Sequence, residues 1–295
     1  MKIINTILLD NENWFNKSTD EARVISWFSG GVASAVACQI ALETYKNVHF
    51  AFCDTGIEHP DTYRFITDFE NKFNVKINIY KSKEFSKPED VFFKYNGLNF
   101  AHGAPCSMVL KKNVRTQQVE KLDTDYAQVF GFDFCKKEIR RASQMIKNHA
   151  EINPKFPLIE REIDRSELFR IVESWGIAIP KPYDHFNNNN CIGTEEGSEG
   201  GCVQGGVGYW QKMKEIYPKK FARMAEIEHE LSKKNGKPTT ICKDQRKNSK
   251  GIIFLTKNID FPEIGSIDDI KGKQPIGRME CNGFCSTQDQ LGFKY

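Results

Sequence analysis

The stretch from Ala22 to Tyr45 limits the possible folds of this chain more than any other. It runs ARVISWF, then Ser29-Gly30-Gly31, then VASAVACQIALETY. The first part is β-branched and aromatic, as a buried strand requires. The last is long and alanine-rich, as a buried helix requires. Two adjacent glycines between them let a ligand approach the backbone closely. A strand feeding a helix in this way leaves backbone N–H groups unpaired at the helix start. There the helix dipole favours an anion by ~0.3–1 kcal/mol. Ser29 and Ser34 add hydroxyl donors. The string lacks both the Gly-Lys-Ser/Thr ending of a Walker loop and the Gly-x-Gly-x-x-Gly of a dinucleotide fingerprint. Taken alone it fits either a tight structural turn or a phosphate-holding loop.

The alternation continues along the chain. NVHFAFCDTG (47–56), VKINIYKS (75–82) and YAQVFGF (126–132) read as further strands. DTYRFITDFENKFN (61–74) reads as an amphipathic helix carrying Tyr63, Phe65, Ile66, Phe69 and Phe73. RSELFRIVESWG predicts a helix stopped by Gly176, and a long helix spans Tyr209 to Lys234, kinked or divided at Pro218. Strands alternating with helices predict an α/β fold with a mainly parallel sheet whose carboxyl edge takes the ligand. The expected organisation is an N-terminal extension (1–21), an α/β domain (22–186), a Cys/Gly-rich loop (187–208) and a helical and irregular C-terminal region (209–295).

Charged residues make up 27% of the chain, but the net charge is only +3, so composition does not indicate a non-specific nucleic-acid binder. Specific nucleic-acid contact stays open. No segment is long and apolar enough for a membrane span. The N-terminus MKIINTILLDNENWF lacks the pattern of a signal peptide, which predicts a cytoplasmic location. Nine cysteines, an odd number, in a reducing compartment argue for thiols rather than a disulfide framework. Cys38 and Cys53 sit in apolar runs as core residues, and Cys135 and Cys242 have no patterned partner. Cys106, Cys191, Cys202, Cys281 and Cys285 sit among glycines, polar residues and turns, and are candidates for metal or redox chemistry.

The order of several motifs resembles the PP-loop family, which includes ATP pyrophosphatases and phosphoadenosine phosphosulfate (PAPS) reductases. The Ser-Gly-Gly-x-x-Ser signature is matched by Ser29, Gly30, Gly31 and Ser34. FCDTGIEHPDTYRF is similar to the segment after the second strand of the reductase branch, with Asp54, Thr55, Gly56, Pro60, Thr62 and Tyr63 in matching places. PCSMVLKK resembles its Cys-x-x-x-x-Lys segment, with Cys106 and Lys111. GFDFCKKEIRRAS is similar to the fourth-strand glycine and its charged cluster, with Gly131, Glu138, Arg140 and Arg141. The stretch 156–177, followed by Pro182-Tyr183, resembles the part that closes the domain. The likeness covers roughly residues 22 to 215. It implies a Rossmann-like, HUP-type three-layer fold and an adenine nucleotide, ATP or PAPS, held by Ser29, Gly30, Gly31, Ser34, Asp54, Thr55 and Gly131.

One position departs from the family. Many PP-loop enzymes carry Asp before the second Ser, and here Ala33 stands there. That puts efficient α–β phosphate cleavage in question, though not nucleotide binding. Asp54 is either a magnesium-ligating carboxylate or a strand-end turn residue. Lys111, Arg140 and Arg141 are candidates to hold phosphate or sulfate, because arginine binds such groups with two parallel hydrogen bonds and lysine acts as a point charge. A solvated helix face is the alternative for all three.

The resemblance also implies that cysteines near the positions of Cys106, Cys191 and Cys202 hold an iron–sulfur cluster (4Fe-4S), with zinc or free thiols as alternatives. Ten residues separate Cys191 from Cys202, and 85 positions separate Cys106 from Cys191. Closing the longer loop adds only roughly 2 kcal/mol of entropy, against ~10–16 kcal/mol for a structural metal site. Sequence distance therefore does not forbid the set. Glu280-Cys281 is similar to the terminal Glu-Cys motif of PAPS reductases, whose thiolate attacks substrate sulfur. Cys285 stands where the relatives carry His. Cys281 and Cys285 are thus a nucleophile and its neighbour, further metal ligands, or structural residues.

Trp210 reads as core, His59 as a surface residue, and the helix containing AEIEHELSKK as solvated on its charged face. Three functions are in contention. The first is a PAPS reductase-like enzyme that binds an adenine nucleotide and reduces an activated sulfate with a thioredoxin-like reductant or sulfur donor. The second is an ATP pyrophosphatase adenylating a nucleobase or carbonyl for thiolation or amidation. The third is a nucleotide-binding interaction protein without catalysis. A homo-oligomer is compatible with each.

Overall fold

The computed structural model describes residues 23–100, 103–119, 126–247, 249, 251–275 and 277. Five strands, β1 (Arg23–Trp27), β2 (Asn47–Asp54), β3 (Ile77–Lys81), β4 (Ala127–Val129) and β5 (Pro154–Lys155), form one sheet in the order β3-β2-β1-β4-β5. Every pairing is parallel. The order reverses direction between β1 and β4, so the chain leaves the carboxyl ends of these two strands on opposite sides and opens a crevice there.

Alternate residues of β1 serve opposite faces, as a period of two requires. Val24 joins the core under α1 (Val32–Thr44), α2 (Pro60–Phe73) and α8 (Arg165–Ser174), with Phe65, Phe69, Leu168 and Val172. Ile25 and Trp27 join the core under α6 (Lys136–Asn148), with Ala142 and Phe156. Three layers result, as the alternation predicts. Because α1 lies between the sheet and α8, it is buried on nearly every side, from Val32 to Ala41.

Several elements carry no clear signal in the sequence. α3 (Pro88–Tyr95), the short α4 (Pro105–Ser107) and α7 (Pro157–Glu160) each begin with proline at the first helical position. α4 runs through one π turn, Met108–Lys112, into α5 (Asn113–Val119). β5 has two residues, too few for a pattern. The long helix is divided where expected: α9 (Val207–Ile216) ends before Tyr217, and Pro218 opens α10 (Pro218–Asn235).

A further core surrounds α9 and α10, where Trp210 is fully buried and Ile253 and Leu255 of the GIIFL run pack. Glu226, Glu230, Lys233 and Lys234 of α10 stay exposed as expected, but not every polar residue of this helix does. Lys220, Glu228 and Ser232 are fully buried: the loop of residues 194–199 closes over Lys220, and the irregular C-terminal segment folds over Glu228 and Ser232. Both Glu228 oxygens receive backbone amides of that segment, from Ile241 (2.6 Å) and Leu255 (2.7 Å). Burial outweighs these bonds and pushes the Glu228 carboxyl up to about 8. An unfolded glutamate titrates near about 4.3. The unfolded chain therefore sheds the proton first, and stability falls as pH rises from about 4.3 to 8, then levels off. Denaturant titrations should show wild type losing stability between pH 5 and pH 8, and Glu228→Gln lacking that loss. Parallel curves for the two proteins would refute this.

Candidate functional site

The Ser29–Ser34 loop sits at the carboxyl end of β1, beside the reversal point. Gly30 adopts the left-handed region at φ 83°, which glycine alone enters freely. The N-cap of α1 is Gly31, which offers no side-chain cap, and the first turn holds no acidic residue. Ser34 Oγ instead accepts from Ser29 N (2.9 Å) and donates to Gly31 O (2.8 Å), closing the loop on itself. Tyr183 OH accepts from Val32 N (3.2 Å), and Asn189 Nδ2 donates to Gly30 O (2.7 Å). These residues and Thr62 cover one side, burying Gly30 and Gly31. On the other side Ser29 is exposed and Ala33 half-buried. The amides of Gly30, Gly31, Ala33 and Ser34 have no acceptor among the described residues. The loop is braced from behind and offers amides in front, an arrangement that suits an anion.

Gly131, just past β4, lies directly on this turn: a Cβ there would come within 2.5 Å of Ser34 N. Its role is close packing, which lets the mouth of α1 approach β4.

After β2 the chain makes a second tight turn. Asp54 is buried; its carboxylate accepts from Gly56 N (2.7 Å) and Tyr63 OH (2.9 Å) and pairs with Lys81 (3.0 Å). Both oxygens are engaged within the chain, which accounts for Asp54 as a turn residue. Thr55 Oγ1 donates to Glu58 Oε1 (2.7 Å) and lies 3.7 Å from Cys191 Sγ. Glu58 Oε2 accepts from Cys191 N (3.4 Å). His59, expected on the surface, is buried, because its Nδ1 caps α2 by accepting from Asp61 N (3.0 Å).

This turn and the π turn bring together residues far apart in sequence. Burial opposes the Lys111 charge, yet Glu58 and the sulfurs of Cys191, Cys202 and Cys106 lie near enough to raise its pKa overall. Burial pushes Cys106 up to about 12 and raises Cys191 and Cys202 too, with the Lys111 ammonium pulling the other way. The three thiols are therefore neutral at ordinary pH unless a metal displaces their protons. All seven cysteines among the described residues are free. No group of three or more Cys, His, Asp or Glu side chains is drawn within reach of a single metal ion among the described residues.

The loop carrying Cys191 and Cys202 is held by buried Lys220. Its ammonium donates to the carbonyls of Thr194, Gly197 (2.8 Å) and Glu199 (3.2 Å). Gly201 N donates to Cys191 O (2.7 Å), and Tyr209 OH accepts from Cys202 N (3.1 Å). Within the loop, Cys191, Gly193, Gly200 and Gly201 all adopt positive φ.

Comparison with known proteins bears on the α/β part. Residues 23–132 match the family described as "Phosphoadenosine phosphosulfate reductase domain". Over these residues the chain is similar to that domain. An uncharacterized protein of Methanocaldococcus jannaschii is 23% identical over 207 residues, 68% of this chain; the chain spans 46% of that relative's length. Two solved structures are similar at low identity. The first is the phosphoadenylyl-sulfate reductase of Candida auris in a phosphate complex (13% identity, 61% of this chain and 83% of that one, TM-score 0.40). The second is the NH3-dependent NAD synthetase of Campylobacter jejuni with nitrate (15% identity, 59% and 89%, TM-score 0.31).

Within the matched region, Ser29, Gly30, Gly31, Ser34 and Gly131 form one constellation. Thr55, Lys111, Cys106, Cys191 and Cys202 form a second. Arg140 and Arg141 are exposed on α6, with Arg141 paired to Glu138 and its guanidinium 4.5 Å from the Phe132 ring centroid. Cys281 and Cys285 lie outside the described residues. Glu58, Asn189, Lys220 and Arg165 were not singled out in the sequence. Arg165 donates to Asn187 O (2.8 Å) and lies 5.6 Å from the Tyr183 ring centroid. Its Nη2 is buried without a partner among the described residues. One Asn in a run of four, or one Lys in a charged helix, carries no signal until the fold selects it.

Proposed function

We propose that this chain is a PAPS reductase-like enzyme. It binds an adenine nucleotide with its phosphate or sulfate tail on the amides of Gly30, Gly31, Ala33 and Ser34. It performs sulfur or redox chemistry at the adjoining thiols. The observation that carries this reading is the convergence of Cys106, Cys191 and Cys202 on Lys111 and Glu58, from three separate segments of the chain.

Soft thiolates on a loop of positive-φ residues suit an iron–sulfur cluster, and the Lys111 ammonium would offset their negative charge. Cys106, Cys191 and Cys202 would hold the group, with Cys281 or Cys285 available as a fourth ligand. When bound, such a cluster supplies electrons or a polarising iron. The chain's own residues do the rest. The loop amides orient the nucleotide tail, while Lys111 steadies negative charge beside the thiols. Exposed Arg140 and Arg141 meet incoming phosphate or sulfate. Cys281 is the candidate nucleophile toward the substrate sulfur. A thioredoxin-like protein in a reducing cytoplasm would supply the electrons for sulfite release.

The test uses anaerobically purified full chain. Titration with ATP and PAPS should show uptake, iron analysis should be positive, and PAPS with reduced thioredoxin should yield sulfite. AMP and pyrophosphate from ATP would replace the reductase with an adenylating enzyme. Colourless, iron-free protein would remove the cluster, and failure to take up either nucleotide would remove the whole proposal.

A further inference from the structure

A large cavity lies away from the loop amides. It is a groove of about 1250 Å³, running from Lys137 at the start of α6, past Asn187 and Val203 beside the thiol loop, to the segment 269–275. Small-molecule sites typically occupy about 300–1,000 Å³. The groove is therefore long enough for an extended ligand.

Its charge is one-sided. Five cations line it (Lys137, Lys243, Arg246, Lys271 and Lys273) against two carboxylates, Asp244 and Asp269. Five against two leaves an excess of three positive charges along the groove. Both carboxylates are occupied. Asp244 pairs with Arg246 (2.7 Å), and Asp269 accepts from Ser266 N (2.8 Å). The four lysines are exposed, and among the described residues only Lys137 lies near enough to a carboxylate, Asp133, to influence its titration.

The wall carrying two of them is braced. Gln211 Nε2 donates to the carbonyls of Ile267 (2.8 Å) and Ile270 (2.7 Å), and Gln211 Oε1 accepts from Gly272 N (3.1 Å). Gly208 and Gly272 allow this segment to lie backbone on backbone against α9. On the same groove Phe100 is 47% exposed, a planar apolar face among cations. Exposed lysines along a groove with an open aromatic ring are the elements by which a groove holds unpaired nucleotides: charge for the backbone, a stacking surface for a base.

We infer that the groove from Lys137 to Lys273 binds single-stranded nucleic acid, with phosphates on Lys137, Lys243, Lys271 and Lys273 and a base stacked on Phe100. The strand passes Val203, the residue that follows Cys202. The inference rests on the groove and does not require the nucleotide chemistry proposed above.

Fluorescence anisotropy of the full chain with labelled dT12 and U12 tests it. Binding should weaken with salt at a log–log slope of about −3 for four phosphate contacts, roughly sixty-fold over a fourfold rise in salt. The Lys243→Gln/Lys271→Gln/Lys273→Gln variant should flatten that slope to about −1. Phe100→Ala should weaken binding about tenfold at every salt concentration. Stronger binding of U12 or of dT12 identifies RNA or DNA as the source. Unchanged thermal midpoints and ATP uptake in the variants show that they fold. No binding at low salt, a slope near zero, or variants that bind like wild type would overturn the inference. So would an acidic protein partner that needs the same lysines while both oligonucleotides fail.

Discussion

Gly131→Ala should nearly abolish nucleotide binding. The added methyl would lie 2.5 Å from both the amide nitrogen and Cα of Ser34, and 2.7 Å from the carbonyl carbon of Ala33. These are backbone atoms of the first turn of α1, so no side chain can swing aside. The turn must move away from β4, and overpacking of this kind costs about 1–3 kcal/mol. The larger effect falls on function. The amides that face the ligand belong to the same turn, and a displacement of about 1 Å in such a constellation costs on the order of a hundredfold. Titration calorimetry with ATP and PAPS should show at least a tenfold loss, together with a lowered thermal midpoint. Wild-type affinity in this variant would mean that the amides of this turn do not hold the ligand.

Lys111→Met should be among the most destabilising single changes outside the core. Its ammonium lies within electrostatic reach of Glu58, a buried carboxylate, and of the half-buried Cys106, Cys191 and Cys202. Removing one partner of a buried charge pair leaves the other uncompensated, which costs about 3–5 kcal/mol for a fully buried pair. Lys111 is only half-buried, so about 2–3 kcal/mol is expected after solvent screening. The double variant Lys111→Met/Glu58→Gln should recover part of the loss, because the unpaired charge is gone. Urea denaturation of the four proteins closes the cycle. A neutral Lys111→Met, or a double variant no better than the single, would show that Glu58 and Lys111 are not electrostatically coupled.

These two expectations concern different constellations, and the sequence revealed them unequally. The loop was legible as residues: Ser29, Gly30, Gly31 and Ser34 are contiguous, and strand-to-helix junctions of this kind have few conformations. Its bracing was not. Tyr183 and Asn189 reach it from more than 150 positions away, and no local pattern distinguishes Asn189 from its three neighbours. Cys106, Cys191 and Cys202 were legible as unusual, but their relation to Glu58 was invisible. A buried carboxylate and a half-buried ammonium look in sequence like any two surface charges. His59, Lys220 and Glu228 make the same point, since each resembles a solvated residue and each is buried with its hydrogen bonds directed inward.

The amino-acid order alone determined the parallel α/β architecture, the glycine turn after the first strand, and the break at Pro218. Each follows from short-range rules: the strand period, the helix period, and the missing amide of proline. Only the tertiary structure decided which charges are buried, which cysteines meet, and where the positive charge gathers. Those outcomes depend on desolvation and on long loops closing, and neither leaves a mark on neighbouring residues.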